Sequence, residues 1–433
     1  WKIIVLKNTI LKKMLTLFLN KNYKLILIFF VLVLCFYRSP YIFLNGRFLA
    51  EDGSFWFSNA YSYGPLKGIT QIFFGTQYFN LWANISSVIA SLFPLELAPL
   101  AMVYMAFLVQ FYLYFFIIFG QSKFLTNKLD KIIAVLIVII TPPMVPAVWL
   151  ASNLSQVYFS IITILIFFQE EDLKSIYNKL SPIIILLSSL SSVLPCVLSP
   201  FFILKYFKKK NKFNFLNCLS ISLGTFCQSV LFLYIKISGL ESLSDGPRYI
   251  LSFEKFINYI YNIIVKSFLG RDLTQLAIFE IEFLQNYIVL FLLLTIFIFI
   301  FIKLAFYHIK NDKILQSIII FFIIQTVLVI YAAKFEQVQG RYAVIPSILL
   351  IFCIYRIFQI SKNLLKYISL ILILLSLSTG LYEYKTNNKY PELLICGKGC
   401  PNWKDEVRKW KEDQNYQLKI WQYPQKTMSL KLR

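Results

Sequence analysis

Long apolar runs recur along the chain, and they restrict its fold more than any other feature. Most of these runs contain about 16 to 22 residues, close to the length at which an α-helix crosses the hydrocarbon core of a bilayer. Hydrophobic residues make up 58% of the 433 residues, which leaves too little polar surface for a soluble protein of this length. The sequence therefore predicts an all-α polytopic membrane protein.

The net charge of +22 is also a feature of nucleic-acid-binding proteins, so the positions of the basic residues matter. The lysines cluster beside apolar runs, at the N-terminus up to Lys24 and again from Lys205 to Lys212. Short basic loops of this kind are typical of the cytoplasmic side of a membrane. We therefore expect a bilayer as partner and no nucleic acid, with a cytoplasmic N-terminus and a multi-pass position in an inner (plasma) membrane.

The apolar runs define a series of predicted spans. We expect them at 25–44, 97–119, 131–148, 152–169, 214–235, 286–305, 314–333, 342–358 and 364–382. Residues 181–205 have flanks of the cytoplasmic type at both ends, which would require two crossings of the membrane. The segment is only long enough for one crossing. It is interpreted as two short helices that enter the membrane and return, with a break near Ser191, Pro195 and Pro200. The total is about 10 to 12 transmembrane helices.

Alternation of the spans places three longer polar segments on the outer side of the membrane. They are the first outer loop at 45–96, a large outer loop at 237–285 and a C-terminal extracytoplasmic segment at 383–433. Short interfacial helices are expected within 55–93. The chain thus divides into a transmembrane domain, 1–382, and a small C-terminal segment in which helical spacing is followed by strand-like alternation.

An acidic pair follows the first predicted span. Glu51 and Asp52 lie in "AEDGS", near the start of the first outer loop. Acids at a membrane boundary are commonly solvated helix caps, and this pair could simply begin the next helix. The alternative is chemical, because a carboxylate within hydrogen-bond reach of a hydroxyl can act as a general base. Repulsion between adjacent acids can also raise the pKa of one of them.

Three motifs occur along the predicted outer segments and spans. They read "AEDGSFWFSNAYSYG" at 50–64, "QGRYAVIP" at 339–346 and "NWKDEVRKWKEDQNYQLKIWQYPQKTMSL" at 402–430. With a first helix leading outward, interfacial helices after the acids and many further spans, the chain resembles the GT-C superfamily of membrane glycosyltransferases. It resembles more closely bacterial membrane proteins with "EDG" after the first helix, "GRY" followed by proline late in the chain, and a tail that contains spaced tryptophans. The resemblance implies a GT-C-like bundle with a small extracytoplasmic α/β segment.

The resemblance further implies transfer of a sugar from a polyprenyl-phosphate-linked donor to a glycan, lipid or protein acceptor at the outer face. Asp52 would be the general base and Glu51 a second carboxylate, and the two could ligate a divalent metal such as Mg²⁺ or Mn²⁺. Arg341 would bind the lipid phosphate, and Tyr342 would cap the site. A snorkelling anchor, or an ion pair with Glu336, is the competing interpretation of Arg341.

Other polar and aromatic residues are candidates on the same side. Arg248 in "SDGPRY" and Arg271 in "GRDL" could bind the donor phosphate, although pairing with the aspartate of the same motif is the simpler interpretation. Asn153, Gln156 and Trp56 are candidates for binding the sugar or the acceptor. Polar residues at the start of a helix also commonly satisfy backbone groups there.

Two cysteines, Cys396 and Cys400, lie in "CGKGC" within the C-terminal segment. Their spacing permits a local disulfide in an oxidising compartment, or two free thiols. A zinc site would need two further ligands, and the only histidine, His308, is expected on the cytoplasmic side. The disulfide or the free thiols are therefore favoured over zinc.

Other functions stay open at this point. A lipid-linked polysaccharide polymerase or ligase would depend on Arg248 and Arg271 rather than on Asp52. A transporter or flippase would use a broken helix pair such as the one in 181–205, but it would be expected to have inverted repeats and charges near mid-membrane, which the sequence lacks. A protein with only a structural role in the membrane would tolerate substitution at all of these positions.

Overall fold

The structure is a computed structural model, and it is mostly helical. It describes residues 22–74, 77–142, 145, 147–172, 175–240, 259, 261–274, 287–332, 340–384, 401–420, 428–430 and 432. Within these residues, five helices are long and apolar enough to cross a membrane, or six if a bent helix pair counts as one span. They are Leu95–Phe119, Lys212–Ile237, Lys313–Ala332, Gly340–Ile360 and Asn363–Glu383. The prediction of a helical chain with several possible membrane spans is confirmed.

Two further helices match predicted spans. Tyr287–Asn311 covers the span predicted at 286–305. The span predicted at 25–44 is a helix at 22–38 followed, after Ser39, by Pro40–Asn45. Proline has no N–H and restricts the residue before it, so the helix is interrupted at Ser39.

Two predicted spans are longer than the helices that the structure contains. Lys128–Ile140 replaces the span at 131–148, and Gln156–Phe167 replaces the span at 152–169. With 13 and 12 residues, each is shorter than the roughly 20 residues of a straight membrane span. The prolines of "TPPMVPAVWLASN" end the first helix, and Gln156–Phe167 is apolar because nearly all of its side chains are buried in the protein.

The segment predicted as a broken pair is two helices, Ile176–Ser191 and Val193–Lys208, with a bend of 118° between them. The break is at Ser192, whose backbone is extended and whose hydroxyl accepts a hydrogen bond from the N–H of Leu194 at 3.0 Å. The predicted break is confirmed. Pro195 and Pro200 lie beyond it, near the starts of the two short helical pieces Val193–Cys196 and Ser199–Lys208. The two helices Ile176–Ser191 and Val193–Lys208 are called the bent pair below.

The first loop, 45–96, folds into short helices, as predicted for 55–93. They are Asp52–Phe57, which is a π-helix, then Ser58–Tyr63, Pro65–Thr70 and Leu81–Ser91. Gly64 has a φ of +82°, which ends one helix and lets the next begin at Pro65. A position of these helices along a membrane surface stays a prediction.

The described part of the C-terminal segment contains a helix, Trp403–Glu412, and two antiparallel strands, Leu418–Ile420 and Met428–Leu430. In the strand pair, Leu418 lies opposite Leu430. Glu406 is buried on the helix and accepts hydrogen bonds from the Tyr416 hydroxyl and the Lys419 N–H, at 2.7 and 2.8 Å. These bonds tie the helix to the first strand.

This C-terminal segment packs on the first loop. The ring of Trp403 meets the ring of Phe48 edge to face at 4.8 Å, and its Nε1–H donates to the carbonyl of Leu95 at 2.7 Å. Val407 and Ile420 lie in the same buried cluster. The C-terminal segment therefore lies against the loop that carries the acidic motif.

Candidate functional site

Asp52 is buried and holds the turn that follows Lys128–Ile140. One carboxylate oxygen accepts hydrogen bonds from the Ser152 hydroxyl and the Asn153 N–H, both at 2.9 Å. The other oxygen accepts from the Ser152 N–H at 3.1 Å. Three donors from one short stretch therefore engage both oxygens of the carboxylate, and Asp52 fixes residues 152 and 153 relative to the first loop.

A second buried charge holds the same turn. The Arg47 side chain donates a hydrogen bond to the carbonyl of Trp149. The Trp149 ring in turn lies 4.5 Å from the guanidinium of Arg38, which also faces the ring of Tyr384 at 5.1 Å. Arginine stacked on aromatic rings is favourable in a buried site. Arg47 and Asp52 thus clamp the stretch 149–153 at two points.

Burial shifts the pKa values of both clamp residues. It raises the pKa of Asp52 to about 6, and the hydrogen bonds from Asn153 and Ser152 oppose this shift in part. It lowers the pKa of Arg47 to about 9, although the nearby Asp52 carboxylate favours the charged guanidinium. Charged groups without water are costly unless they are bonded. In the clamp, each buried charge is hydrogen-bonded to the stretch 149–153.

The backbone beside the acids has an uncommon conformation. Ala50 has a φ of +50°, and Leu150, across the clamp, has a φ of +53°. Residues with a side chain rarely adopt this left-handed region, and such strain is concentrated at functional sites. The π-helix that begins at Asp52 is a second such feature. The turn at Ala50 precedes two adjacent acids that have different surroundings.

A cavity of about 150 Å³ lies next to this clamp, between the first loop, the start of Gln156–Phe167, the bent pair and the GRY turn. Six residues that were predicted from the sequence line it together. They are Glu51, Trp56, Asn153, Gln156, Arg341 and Tyr342. Segments far apart in the chain are thus brought to one place, while the roles predicted for them stay predictions.

Glu51 and Asp52 differ in their access to this cavity. Glu51 is partly exposed and lines the cavity, whereas Asp52 is 2% exposed, is not among the lining residues and bonds the 152–153 backbone. A ligand in the cavity would therefore contact Glu51 and not Asp52. The sequence prediction assigned the leading role to Asp52, because adjacent acids cannot be told apart without the backbone.

Arg341 and Tyr342 belong to the short turn Gly340–Ala343, which leads into the helix Val344–Ile360. The Arg341 guanidinium lies 5.2 Å from the Tyr342 ring, and the carbonyl of Tyr342 accepts a hydrogen bond from the Tyr259 hydroxyl at 2.6 Å. The Tyr259 hydroxyl thus fixes the backbone of the GRY turn, Gly340–Ala343. Glu336, the alternative partner of Arg341, lies outside the described residues.

A polar wall of the cavity comes from the loop before Leu81–Ser91. Gln156 donates a hydrogen bond from Nε2 to the hydroxyl of Tyr78 at 2.7 Å, and Asn80 donates from Nδ2 to the carbonyl of Asn153 at 2.9 Å. Tyr78 lines the cavity together with Phe73. Sequence reasoning missed both, although the aromatic run "QIFFGTQYFN" between two helices was a signal available for them.

Of the remaining candidates, Arg271 is the one that the structure describes. Arg271 is not among the residues that line the cavity, and its backbone N–H donates to the carboxylate of Glu383, as does the N–H of Asp272 at 3.0 Å. This contact fixes the turn after Gly270 on the end of Asn363–Glu383. The predicted residues Arg248, Cys396 and Cys400 lie outside the described residues.

The acidic pair does not fit the predicted Mg²⁺ or Mn²⁺ site. Both oxygens of Asp52 are engaged by hydrogen-bond donors, which leaves Glu51 as a single carboxylate. Such ions bind several oxygen ligands in a defined geometry. No cluster of three or more His, Cys, Asp or Glu side chains that could hold a metal occurs in the described part of the chain.

Comparison with protein-family models, with curated proteins and with solved structures finds no match to this chain. The resemblance to glycosyltransferases therefore rests on its motifs. The chemistry of the cavity is a separate source of functional information, because it depends on residues that the fold brings together.

Proposed function

We propose that the protein is a GT-C-like glycosyltransferase that moves a sugar from a polyprenyl-phosphate carrier to an acceptor hydroxyl at the outer face of a bacterial inner membrane. The observation that carries this proposal is one cavity lined by both Glu51 and Arg341. A carboxylate and a guanidinium in the same cavity can serve the two ends of one displacement, the attacking hydroxyl and the leaving phosphate.

The proposed reaction needs one proton acceptor and one anion-binding group. Glu51 takes the proton of the acceptor hydroxyl as its oxygen forms a bond to the anomeric carbon of the sugar. The bond between that carbon and the phosphate oxygen breaks, and the electron pair leaves with the polyprenyl phosphate. Arg341 stabilises the negative charge on the leaving phosphate, because guanidinium stays charged and can bind two oxygens at once.

The assignment of the base to Glu51 revises the role expected for Asp52. In this proposal Asp52 keeps Asn153 in place through the 2.9 Å hydrogen bond to its backbone N–H. Asn153 and Gln156 then bind sugar hydroxyls. Positioning of this kind is a large part of catalysis, since misplacement by about 1 Å can cost about 100-fold in rate.

The other walls of the cavity suit a lipid-linked sugar. Trp56, Phe73 and Tyr342 are aromatic, and aromatic side chains supply large rigid contact surfaces. Val157, Leu194, Val329 and Ile345 form an apolar part that fits the first isoprene units of a carrier. The first loop and the GRY turn, which form part of the walls, are segments that the charge distribution predicts on the outer side, with the N-terminus in the cytoplasm and the C-terminus outside.

A transporter or flippase for lipid-linked sugars is the second candidate. The observation in its favour is that Ser192, Val193 and Leu194, at the break of the bent pair, line the same cavity. Broken helices commonly form the binding sites of transporters. Of the two arginines expected of a polysaccharide polymerase or ligase, Arg271 does not line the cavity and Arg248 lies outside the described residues.

The experiment is to incubate purified protein in lipid nanodiscs with a panel of polyprenyl-phosphate sugars and crude cell-envelope acceptors. We expect release of polyprenyl phosphate together with labelled acceptor. Arg408→Gln is the matched control for later arginine variants, because Arg408 is exposed and pairs only locally with Asp405 at 3.0 Å. Movement of an intact donor across liposome membranes without release would favour the transporter instead.

A further inference from the structure

Gln228 lies on the helix Lys212–Ile237 and is buried at 3% exposure. Its Oε1 accepts a hydrogen bond from the N–H of Phe79 at 3.0 Å, and its Nε2 donates to the carbonyl of Phe79 at 2.9 Å. The same Nε2 donates to the carbonyl of Ser189 at 3.1 Å. One side-chain amide therefore satisfies both backbone groups of Phe79 and one carbonyl of the bent pair.

The reach of Gln228 depends on a close helix contact one turn earlier. At Gly224 a Cβ atom would collide with the side chain of Ser189. The absence of a side chain lets Lys212–Ile237 approach Ile176–Ser191 at this point. Gln228 follows on the same buried face and extends toward the end of Ile176–Ser191. Polar residues in membrane helices are costly and commonly mark functional places.

The bonds of Gln228 join two walls of the cavity. Phe79 follows Tyr78, which lines the cavity from the first loop, and Ser189 precedes the break at Ser192, which lines it from the bent pair. A second bond between the same segments runs from the Trp82 N–H to the Ser191 hydroxyl at 3.0 Å. Gln228 itself is not a lining residue.

We propose that Gln228 is a positioning residue that holds the Tyr78 wall of the cavity at a fixed distance from the bent pair, and so sets the affinity of the cavity for the polyprenyl phosphate of the donor. The identity of that ligand rests on the proposed function. The positioning itself does not, because it follows from the three hydrogen bonds of the amide.

Replacement of Gln228 by leucine keeps a similar volume and removes all three bonds. The N–H and the carbonyl of Phe79 then lack partners in a low-dielectric interior, whereas the Ser189 carbonyl keeps the Cys196 thiol at 3.4 Å. The loop must therefore move to satisfy Phe79. Tyr78 moves with it, away from the 2.7 Å hydrogen bond with Gln156. The GRY turn, which carries Arg341, does not depend on Gln228, because the Tyr259 hydroxyl holds the carbonyl of Tyr342.

The matched control is Gln110→Leu. Gln110 is also a fully buried amide, on the helix Leu95–Phe119, and within the described residues its side chain has no hydrogen-bond partner. It does not line the cavity. The control therefore makes the same chemical change in a helix of the same kind.

Amide hydrogen exchange in nanodiscs tests the positioning without any ligand. We expect faster exchange at the Phe79 amide in Gln228→Leu than in the wild type, and unchanged exchange there in Gln110→Leu. Equal exchange in the wild type and Gln228→Leu would overturn the inference.

Titration with polyprenyl phosphate tests the consequence for the cavity. We expect about tenfold weaker binding in Gln228→Leu, with wild-type binding in Gln110→Leu. In turnover, the KM for the donor should rise while kcat changes by about twofold or less. Faster exchange with unchanged binding would overturn the claim that Gln228 shapes the cavity. If the wild type does not bind polyprenyl phosphate, the proposed function fails, and the exchange comparison still decides whether Gln228 holds the loop.

Discussion

Asp52 accepts two hydrogen bonds from Ser152, one from its hydroxyl at 2.9 Å and one from its backbone N–H at 3.1 Å, across 100 residues of sequence. Asp52 was predicted to be catalytic, but this contact shows that it fixes the backbone at residues 152 and 153. Its neighbour Glu51 is left to face the cavity. The predictions that follow separate the two acids experimentally.

The main effect of Asp52→Asn should be on the stability of the protein. An amide nitrogen in place of one carboxylate oxygen faces a donor from Ser152 or Asn153, so at least one bond is lost. We expect the free energy of unfolding to fall by about 1–3 kcal/mol, and by about 1 kcal/mol in Ser152→Ala, which loses a single bond. Thermal unfolding in nanodiscs measures both, and a fully stable Asp52→Asn protein would refute the anchoring role.

The raised pKa of Asp52 predicts a dependence of stability on pH. Burial moves this pKa from the ordinary value of 3.8 to about 6, so the folded protein keeps the proton at pH values where the unfolded chain has lost it. The contribution is complete below about pH 4 and is lost as the pH rises through about 6. The unfolding temperature of the wild type, relative to Asp52→Asn, should therefore fall across this window and level off above it. A difference that rises with pH would contradict the assignment.

Most of the helices, and six of the residues that line the cavity, were predictable from the sequence. Apolar runs long enough to span a bilayer became helices such as Lys212–Ile237, and the motifs supplied Glu51, Arg341 and Tyr342. Apolar letters alone could not locate the end of Lys128–Ile140, because its length is limited by prolines and by packing inside the protein.

The finer arrangement of the site could not be predicted. Which of two adjacent acids faces the cavity depends on the local backbone at Ala50, where φ is +50°, and no residue type requires that conformation there. The contact of Gln228 with Phe79 joins residues 149 positions apart, and it depends on a close helix approach at Gly224. Information of this kind is contained in the packing and not in a local pattern.

Arg341→Gln should weaken the handling of the donor. It keeps a polar side chain but removes the charge that compensates the phosphate, so we expect at least about tenfold lower kcat/KM, with part of the loss restored by Arg341→Lys. Steady-state release of polyprenyl phosphate measures this effect. Arg408→Gln should behave as the wild type, and equal losses in both arginine variants would point to a nonspecific effect of charge.

Trp403→Ala should loosen the C-terminal segment from the first loop. The change removes the edge-to-face contact with Phe48 and the hydrogen bond to Leu95. We expect the free energy of unfolding to fall by about 3 kcal/mol. For Trp403→Phe we expect a fall of about 1 kcal/mol, because this variant keeps a ring and loses only the N–H donor. Limited proteolysis at the first loop should be faster in the alanine variant. Unchanged proteolysis would show that the segment does not protect this loop.

The most direct measurement is the rate of polyprenyl phosphate release by Glu51→Gln and by the wild type in nanodiscs, with unfolding temperatures recorded for both. Glutamine keeps the size of the side chain and cannot accept the proton. We predict a loss of about 100-fold or more with an unchanged unfolding temperature, because Glu51 acts on the ligand in the cavity. Release at the wild-type rate by a folded Glu51→Gln protein would contradict the central role of this acid.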